Sequence, residues 1–503
     1  MPAWRKWVLV VLCCVAANDA FAAGNLRIGL ASDPDSLDPA RSVSYAGQIV
    51  FSALCDKLVD VDAKMNLVPQ LATGWGWSDD RLTLTMKLRN GAQFQDGTPL
   101  TAEAVRINLQ RYRSAAESAR KSELKPIAAV EIVDPLTLRI KLAVPYAPLV
   151  AVLADRAGMI LSPKNITQLG AELGSHPVCA GPFSFTQRIA QDRIILDRFG
   201  GYWNNAALKL DRITYFTMPD RTVRLANLRT GQLDMLEGLA ASDADTVHHD
   251  PKLRLLIAPS IAYQTLLLNL GNGALGRSKF ATEPRVREAF ELAIDRVAIN
   301  KVAFDGTQLP SNQTEPPGST YWNSAYPVPD RDIGQAMALM KAMGLAKLPV
   351  ALVVGNTPSA IKTAEMIQSM TAEAGFDVKI QPMEANAAVA AVQRGAFNAY
   401  LGTWSGRLDP DSNVAVWLAS GGFLNWGKYS NPEFDALLAR ARSITDVPQR
   451  QSLYRDIAEI YLQDRPMLVL YHQNWLFAHS DKLSGFVPVP DGLIRPQNIQ
   501  LKE

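Results

Sequence analysis

Hydrophobic and polar positions alternate most cleanly where Leu82, Leu84, Met86 and Leu88 are interleaved with Arg81, Thr83, Thr85 and Lys87. A period of two marks a strand with one buried face. Asn90-Gly91 and Asp96-Gly97 punctuate turns beyond it. Thr101 then stands as N-cap of a helix with Val105, Leu109 and Tyr112 on one face. A second alternating strand, Leu136 to Leu142, follows Asp134-Pro135.

The same reading extends along the chain. It predicts an opening strand at Leu26 to Leu30 and helical spacing from Ile49 to Leu58. Further strands are predicted at Phe183 to Phe185, Arg193 to Leu196, Ile213 to Phe216, Leu253 to Ile257 and Tyr263 to Leu270. Later come a helix capped by Thr282 with Val286, Ala289, Ala293 and Val297 on one face, a strand at Val350 to Val354, and a helix at Ala360 to Ala374. Strands at Val378 to Ile380, Phe397 to Leu401 and Met467 to Tyr471 complete the pattern, with short helices around Phe434 and Leu453. Strands alternating with helices predict an α/β fold. The chain has no repeat, low-complexity run or linker, so compact lobes joined tightly are expected.

The N-terminus reads as a secretory signal. Arg5 and Lys6 precede an apolar run from Trp7 to Ala17, and Ala20-Phe21-Ala22 offers a small-x-small cleavage site, giving a signal peptide over residues 1–22. Val11-Leu12 before Cys13 does not suit a lipoprotein signal, so a soluble exported protein is expected. No later run reaches the ~18 apolar residues of a membrane span. Cys55 and Cys179 remain after cleavage, and in an oxidising compartment they could form one bridge or stay as two buried thiols.

Charge excludes some functions. A formal net charge of +2 with no basic stripe gives no case for nucleic acid. His176, His248, His249, His472 and His479 have no metal-ligand spacing, so no metal site is predicted. There is no Gly-x-Ser-x-Gly, His-Glu-x-x-His or phosphate-cradling loop. Ser-x-x-Lys occurs at Ser122 and Ser359 without a companion Lys-Thr-Gly. No catalytic residue and no cofactor is assigned.

The densest chemistry lies in Thr403-Trp404-Ser405-Gly406-Arg407-Leu408-Asp409-Pro410-Asp411, after a buried apolar run. An aromatic plate, a hydroxyl, a guanidinium and two carboxylates share what should be one loop, the usual place for ligand contacts. Trp404 suits a stacking wall, and Arg407 a bidentate anion reader or a structural ion pair with Asp409 or Asp411. Tyr45, Tyr263, Gln264, Asn425 and Trp426 complete the candidate ligand-binding set.

Several stretches, in order, resemble one family. Trp75-Gly76-Trp77-Ser78-Asp79-Asp80, Arg89-Asn90-Gly91-Ala92-Gln93-Phe94 and Leu100 to Val105 form one block. Ala180-Gly181-Pro182-Phe183, Gly201-Tyr202-Trp203, Pro284 to Arg296, Tyr429-Ser430-Asn431-Pro432 and Asp464-Arg465-Pro466 follow. Together these resemble the family 5 solute-binding proteins of ABC importers, which carry dipeptides, oligopeptides or nickel. The resemblance implies a two-lobed periplasmic binding protein of the type II-like, cluster C kind, with an inserted domain. Lobe I would comprise residues 23–54, 174–262 and 482–503, the inserted domain 55–173, and the second large lobe 263–481. Hinge strands would cross near Ser260 to Tyr263 and Ala478 to Asp481. It also implies a Cys55–Cys179 disulfide, a monomer, an inner-membrane permease and ATPase as partners, and a peptide or peptide-like ligand. Peptide-binding relatives commonly carry Asp three residues after the tryptophan, where it pairs with the ligand ammonium. Arg407 occupies that position, so an anionic ligand group is expected there instead. Gly355-Asn356-Thr357-Pro358-Ser359 likewise lacks the Arg that dipeptide binders use for the ligand carboxylate. The alternatives are a secreted hydrolase or transferase using Asp409 and Asp411, a nickel or metal-chelate binder, and a receptor that presents its ligand to a chemosensor.

Overall fold

The computed structural model describes residues 24–502, and the signal peptide expected over 1–22 lies outside them. The first described strand, Asn25–Leu30, runs parallel to Arg212–Thr217 and to Met235–Leu236, so residues far apart in sequence share one lobe from the start. Arg193–Arg198 and Phe183–Ile189 extend this half in antiparallel pairs. The other half sets Leu348–Gly355 parallel to both Phe376–Met383 and Ala399–Trp404.

Two long strands weld the halves into one 11-stranded sheet. Leu253–Leu268 and Met467–Ser480 pair antiparallel over most of their length. Their register breaks between Pro259 and Tyr263, opposite His472–Asn474. On the second strand this break lies upstream of the Ala478 to Asp481 crossing that the resemblance implies. The run from Leu253 is thus one strand where alternation predicts two, because polar and apolar positions swap faces at the register break.

Residues 55–173 carry a separate four-stranded antiparallel sheet of Ala72–Trp77, Thr83–Leu88, Thr137–Leu142 and Ile127–Asp134. Its core is continuous with that of the first lobe: Leu84, Met86, Leu109 and Ile140 belong to the same buried cluster as Leu26, Ile28 and Phe51. The Cys55 and Cys179 sulfurs are bonded across 124 residues of chain, with Cα atoms 5.0 Å apart, at the joint between the two. In the other large lobe, helices cover both sheet faces, giving two cores, one around Phe290 and Phe376 and one around Trp417 and Phe434.

The helix expected after Thr101 begins where the sequence says, whereas the helix expected from Ile49 to Leu58 runs over Tyr45–Leu54. Thr101 Oγ1 accepts from Ala104 N at 3.2 Å and caps Ala102–Ser114. Thr282 does not cap a helix. Pro284–Leu292 starts after Glu283, and a second helix, Arg296–Phe304, starts at Asp295, whose carboxylate accepts from Ala298 N. The break at Ala293 to Asp295 turns Val297 outward, to 62% exposure, instead of into the face shared by Val286 and Ala289. Among the described residues no helix is long and apolar enough to cross a membrane.

Candidate functional site

The strand Ala399–Trp404 organises the junction of the lobes. One edge pairs with Tyr263 to Leu268. The other pairs with the strand at Leu352 and Val353 only through Ala399 and Tyr400, so beyond Tyr400 that edge has no strand partner. A strand edge without a strand partner can receive an extended chain through backbone hydrogen bonds. Beside it lies a cavity of about 500 Å³, lined by Thr403, Tyr400 and Gln264 from the sheet, Thr357 and Ser359 from a helix start, and Gln473 to Leu476 from the long crossing strand. Gly238 and Leu239 close it from the first lobe.

Antiparallel pairing sorts the sequence candidates by face. Gln264 pairs with Thr403, and both line the cavity. Gln264 Nε2 donates to Gly402 O at 2.8 Å, and its Oε1 accepts from Thr403 Oγ1 at 2.8 Å. Tyr263 pairs with Trp404, which puts both on the opposite face. Tyr263 is fully buried and donates from Oη to Asn413 O at 2.6 Å. Trp404 packs edge-to-face on Trp417 and donates from Nε1 to Asn413 Oδ1 at 3.1 Å.

Asn413 is the hub that sequence reasoning missed. Its Oδ1 also accepts from Arg407 N at 2.7 Å, and its Nδ2 donates to Arg407 O and to Glu315 Oε1, each at 2.8 Å. Burial pushes the Glu315 carboxyl up to about 8, only partly offset by the Asn413 hydrogen bond. One amide, itself held by Glu315, therefore pins both ends of the Arg407 backbone. Gly406, at φ +76°, sits against the Ile261 carbonyl where a Cβ would come within 2.4 Å, so glycine is required for this turn.

The loop carboxylates are occupied by arginines. Asp409 receives Arg450 through both terminal nitrogens at 2.9 and 2.8 Å, and both residues are buried. Asp411 takes Arg442 Nε at 2.7 Å, while burial raises its carboxyl. Neither is free for the ligand or acid–base role considered from sequence. Asn425 is also spent internally, donating to Ala419 O and Tyr429 O. Trp426 packs behind Tyr400, a cavity wall. Tyr45 stacks flat on Trp475, ring centroids 5.1 Å apart, and so backs a cavity residue from the first lobe.

Arg407 lies outside the cavity lining. Its guanidinium donates to Ser405 Oγ at 2.9 Å and Gly406 O at 2.6 Å, and rests 4.8 Å above the Trp404 ring. Across the lobe junction it interacts electrostatically with Glu123, Asp155 and Arg156. Arg120 joins this group through Glu123 at 2.9 Å. Burial works against the Asp155 charge, but Arg156 and Arg407 hold its carboxyl down at about 2. Burial lowers Arg156, and repulsion from Arg120 and Arg407 adds to this. The Nε atoms of Arg120 and Arg156 are buried without a hydrogen-bond partner, the latter 3.6 Å from Asp155 Oδ1. Three guanidinium groups thus face two carboxylates between the lobes.

Among the described residues no group of three or more His, Cys, Asp or Glu could hold a metal ion. His472 is fully buried with Nε2 3.0 Å from Gln313 O, and burial lowers it to about 4.

Comparison with known proteins places this geometry. The family model for bacterial extracellular solute-binding proteins, family 5 Middle, matches residues 66–425. The chain is 31% identical to a glutathione-binding protein, GsiB, of Pectobacterium atrosepticum over 521 residues, covering 100% of this chain and 99% of that one. Among solved structures, the periplasmic binding protein DppA of Helicobacter pylori, in complex with the peptide STSA, superposes with TM-score 0.81 at 25% identity over 96% of this chain and 98% of its own. HbpA2 of Haemophilus parasuis superposes with TM-score 0.83 at 25% identity, over 95% of this chain and 100% of its own. A likeness that runs the length of both chains, with a two-lobed α/β architecture to match, settles the family: this chain belongs to the bacterial extracellular solute-binding proteins, family 5.

Proposed function

We propose that the chain is the periplasmic receptor of an ABC importer, that it captures a peptide or peptide-like ligand between its lobes, and that it delivers the ligand unchanged to a membrane permease driven by an ATPase. The observation that carries this reading is the cavity beside an open strand edge at the lobe junction. Its volume suits a small ligand, and pockets of this kind bury most of the ligand surface. The edge beyond Tyr400 offers backbone donors and acceptors to an extended amide chain. The relatives named for glutathione and the neighbour holding STSA support a peptide-like cargo.

Arg407 is the proposed contact for an anionic ligand group. The interlobe cluster has one more guanidinium than carboxylates, and a ligand carboxylate would balance it. The hydrolase reading loses its residues, because Asp409 and Asp411 are each held by an arginine. Titration calorimetry of the mature protein against a peptide panel, with solution scattering to follow lobe closure, is the test. Saturable binding with compaction and recovery of intact ligand supports the receptor. Turnover of the bound ligand would sink it.

A further inference from the structure

The cavity has a chemical character of its own. Among the described residues that line it there is no Asp, Glu, Lys, Arg or His. Its polar side chains, among them Gln264, Gln308, Gln473, Asn474, Thr403 and Tyr400, carry amides and hydroxyls. Several are already committed. Gln308 Oε1 accepts from Asn474 N at 2.8 Å, and Asn474 Nδ2 donates to Thr307 O at 2.7 Å. Gln264 and Thr403 satisfy one another. No hydrogen bond within the described residues engages the Gln473 amide, the Ser359 hydroxyl or the Tyr400 phenol. These three remain to meet a ligand, and each is neutral and able to donate and accept. The walls between them are rings, Tyr400, Tyr471, Phe304 and Trp475.

An ion enclosed in such a cavity would lose its water and meet no ionised group in the lining itself, which disfavours it. An amide loses far less and recovers it through Gln473, Ser359 and the open strand edge. One cluster of charges at the lobe junction lies apart from this lining, around Arg407. We infer that the ligand segment enclosed by this cavity is uncharged, an amide in place of a free ammonium, and that a ligand carboxylate, where present, sits at the Arg407 end. This rests on the peptide-receptor reading and narrows it to peptides whose amino end is acylated or otherwise neutral.

The experiment is calorimetry of the full mature chain with four matched probes: tri-alanine, N-acetyl-tri-alanine, tri-alanine amide and N-acetyl-tri-alanine amide. Both N-acetyl probes are expected to bind at least tenfold more tightly than their free-amine counterparts, with N-acetyl-tri-alanine the tightest of the four. Equal or tighter binding of the free amines overturns the inference and leaves the receptor reading intact. Silence from all four probes overturns the peptide reading itself. A second arm uses Gln473→Glu, a half-buried position whose side chain has no hydrogen-bond partner among the described residues. It should shift preference toward tri-alanine amide by tenfold or more. An unshifted preference would show that Gln473 does not face the ligand amine, and would also overturn the inference.

Discussion

The loop from Trp404 to Asn413 and the cavity beside it share a strand yet use their side chains in opposite ways. The loop carries the charges, and two of them, Asp409 and Asp411, are paired inside the protein. The cavity carries none and keeps an amide, a hydroxyl and a phenol unengaged. Charge in the loop builds a shape, whereas neutral groups in the cavity await a partner. Arg407 stands between the two, fixed through its backbone by Asn413, its guanidinium bonded to Ser405 and Gly406 and coupled electrostatically to Asp155. A concentration of charge is therefore a poor guide to where a ligand lies. A buried ion pair holds a loop in one conformation, but truncating one partner leaves an uncompensated charge.

The strongest way to break this contrast is at Arg450. Replacing it with Met leaves Asp409 buried and unpaired, which should cost about 3–5 kcal/mol of folding stability in urea titrations. The double variant Asp409→Leu with Arg450→Met should recover most of that loss, because two matched apolar groups remove both desolvation costs. If Arg450→Met leaves the urea midpoint unchanged, the pair is not what holds the loop.

Glu315 sharpens the comparison through pH. Burial raises its carboxyl from 4.5 to about 8 in the folded chain. Between those values the folded state holds a proton that the unfolded state has released, so this group's stabilisation is complete below 4.5 and is lost as pH rises through about 8. Denaturation midpoints of Glu315→Gln should fall less between pH 5 and 8 than those of the unsubstituted chain. Parallel curves would place the neutral acid elsewhere.

How much of this was legible in the sequence follows the same divide. Trp404, Arg407, Asp409 and Asp411 stand out because aromatic and charged residues cluster in one stretch. Their partners do not, since Arg442 and Arg450 arrive from helices 31 and 41 residues downstream. Asn413 follows the loop closely but carries no pattern of its own. Gln264 was among the sequence candidates, but the cavity residues Gln473 to Trp475 were missed for a physical reason. Alternation ends the late strand at Tyr471, yet the strand continues to Ser480, and Gln473 to Trp475 form a half-buried interval where it passes the cavity. The return of buried positions at Leu476, Phe477 and Ala478 is the signal that could have extended it. The register break between Pro259 and Tyr263 shows in the sequence as a change of phase, because a shift of register swaps sheet faces.

Arg407→Ala tests the residue between the two regions. Losing a charged hydrogen bond to a ligand carboxylate should weaken N-acetyl-tri-alanine by about 1.5–3 kcal/mol. N-acetyl-tri-alanine amide, which offers no carboxylate, should lose much less. An equal loss for both probes would mean that Arg407 acts on lobe closure through Glu123 and Asp155 and not on the ligand.

The smallest effect is expected at Gln473, and it is the most discriminating. Its side chain is half-buried, lines the cavity and has no hydrogen-bond partner among the described residues. Gln473→Ala should therefore leave the urea midpoint within experimental error, since no internal bond is lost and no buried group is orphaned. Ligand affinity should fall by about 0.5–1.5 kcal/mol, the net value of a neutral hydrogen bond. The opposite result, lost stability at full affinity, would assign Gln473 to the scaffold. It would then join Asp409, and the contrast between a charged loop that shapes and a neutral cavity that reads would fail at its most exposed point.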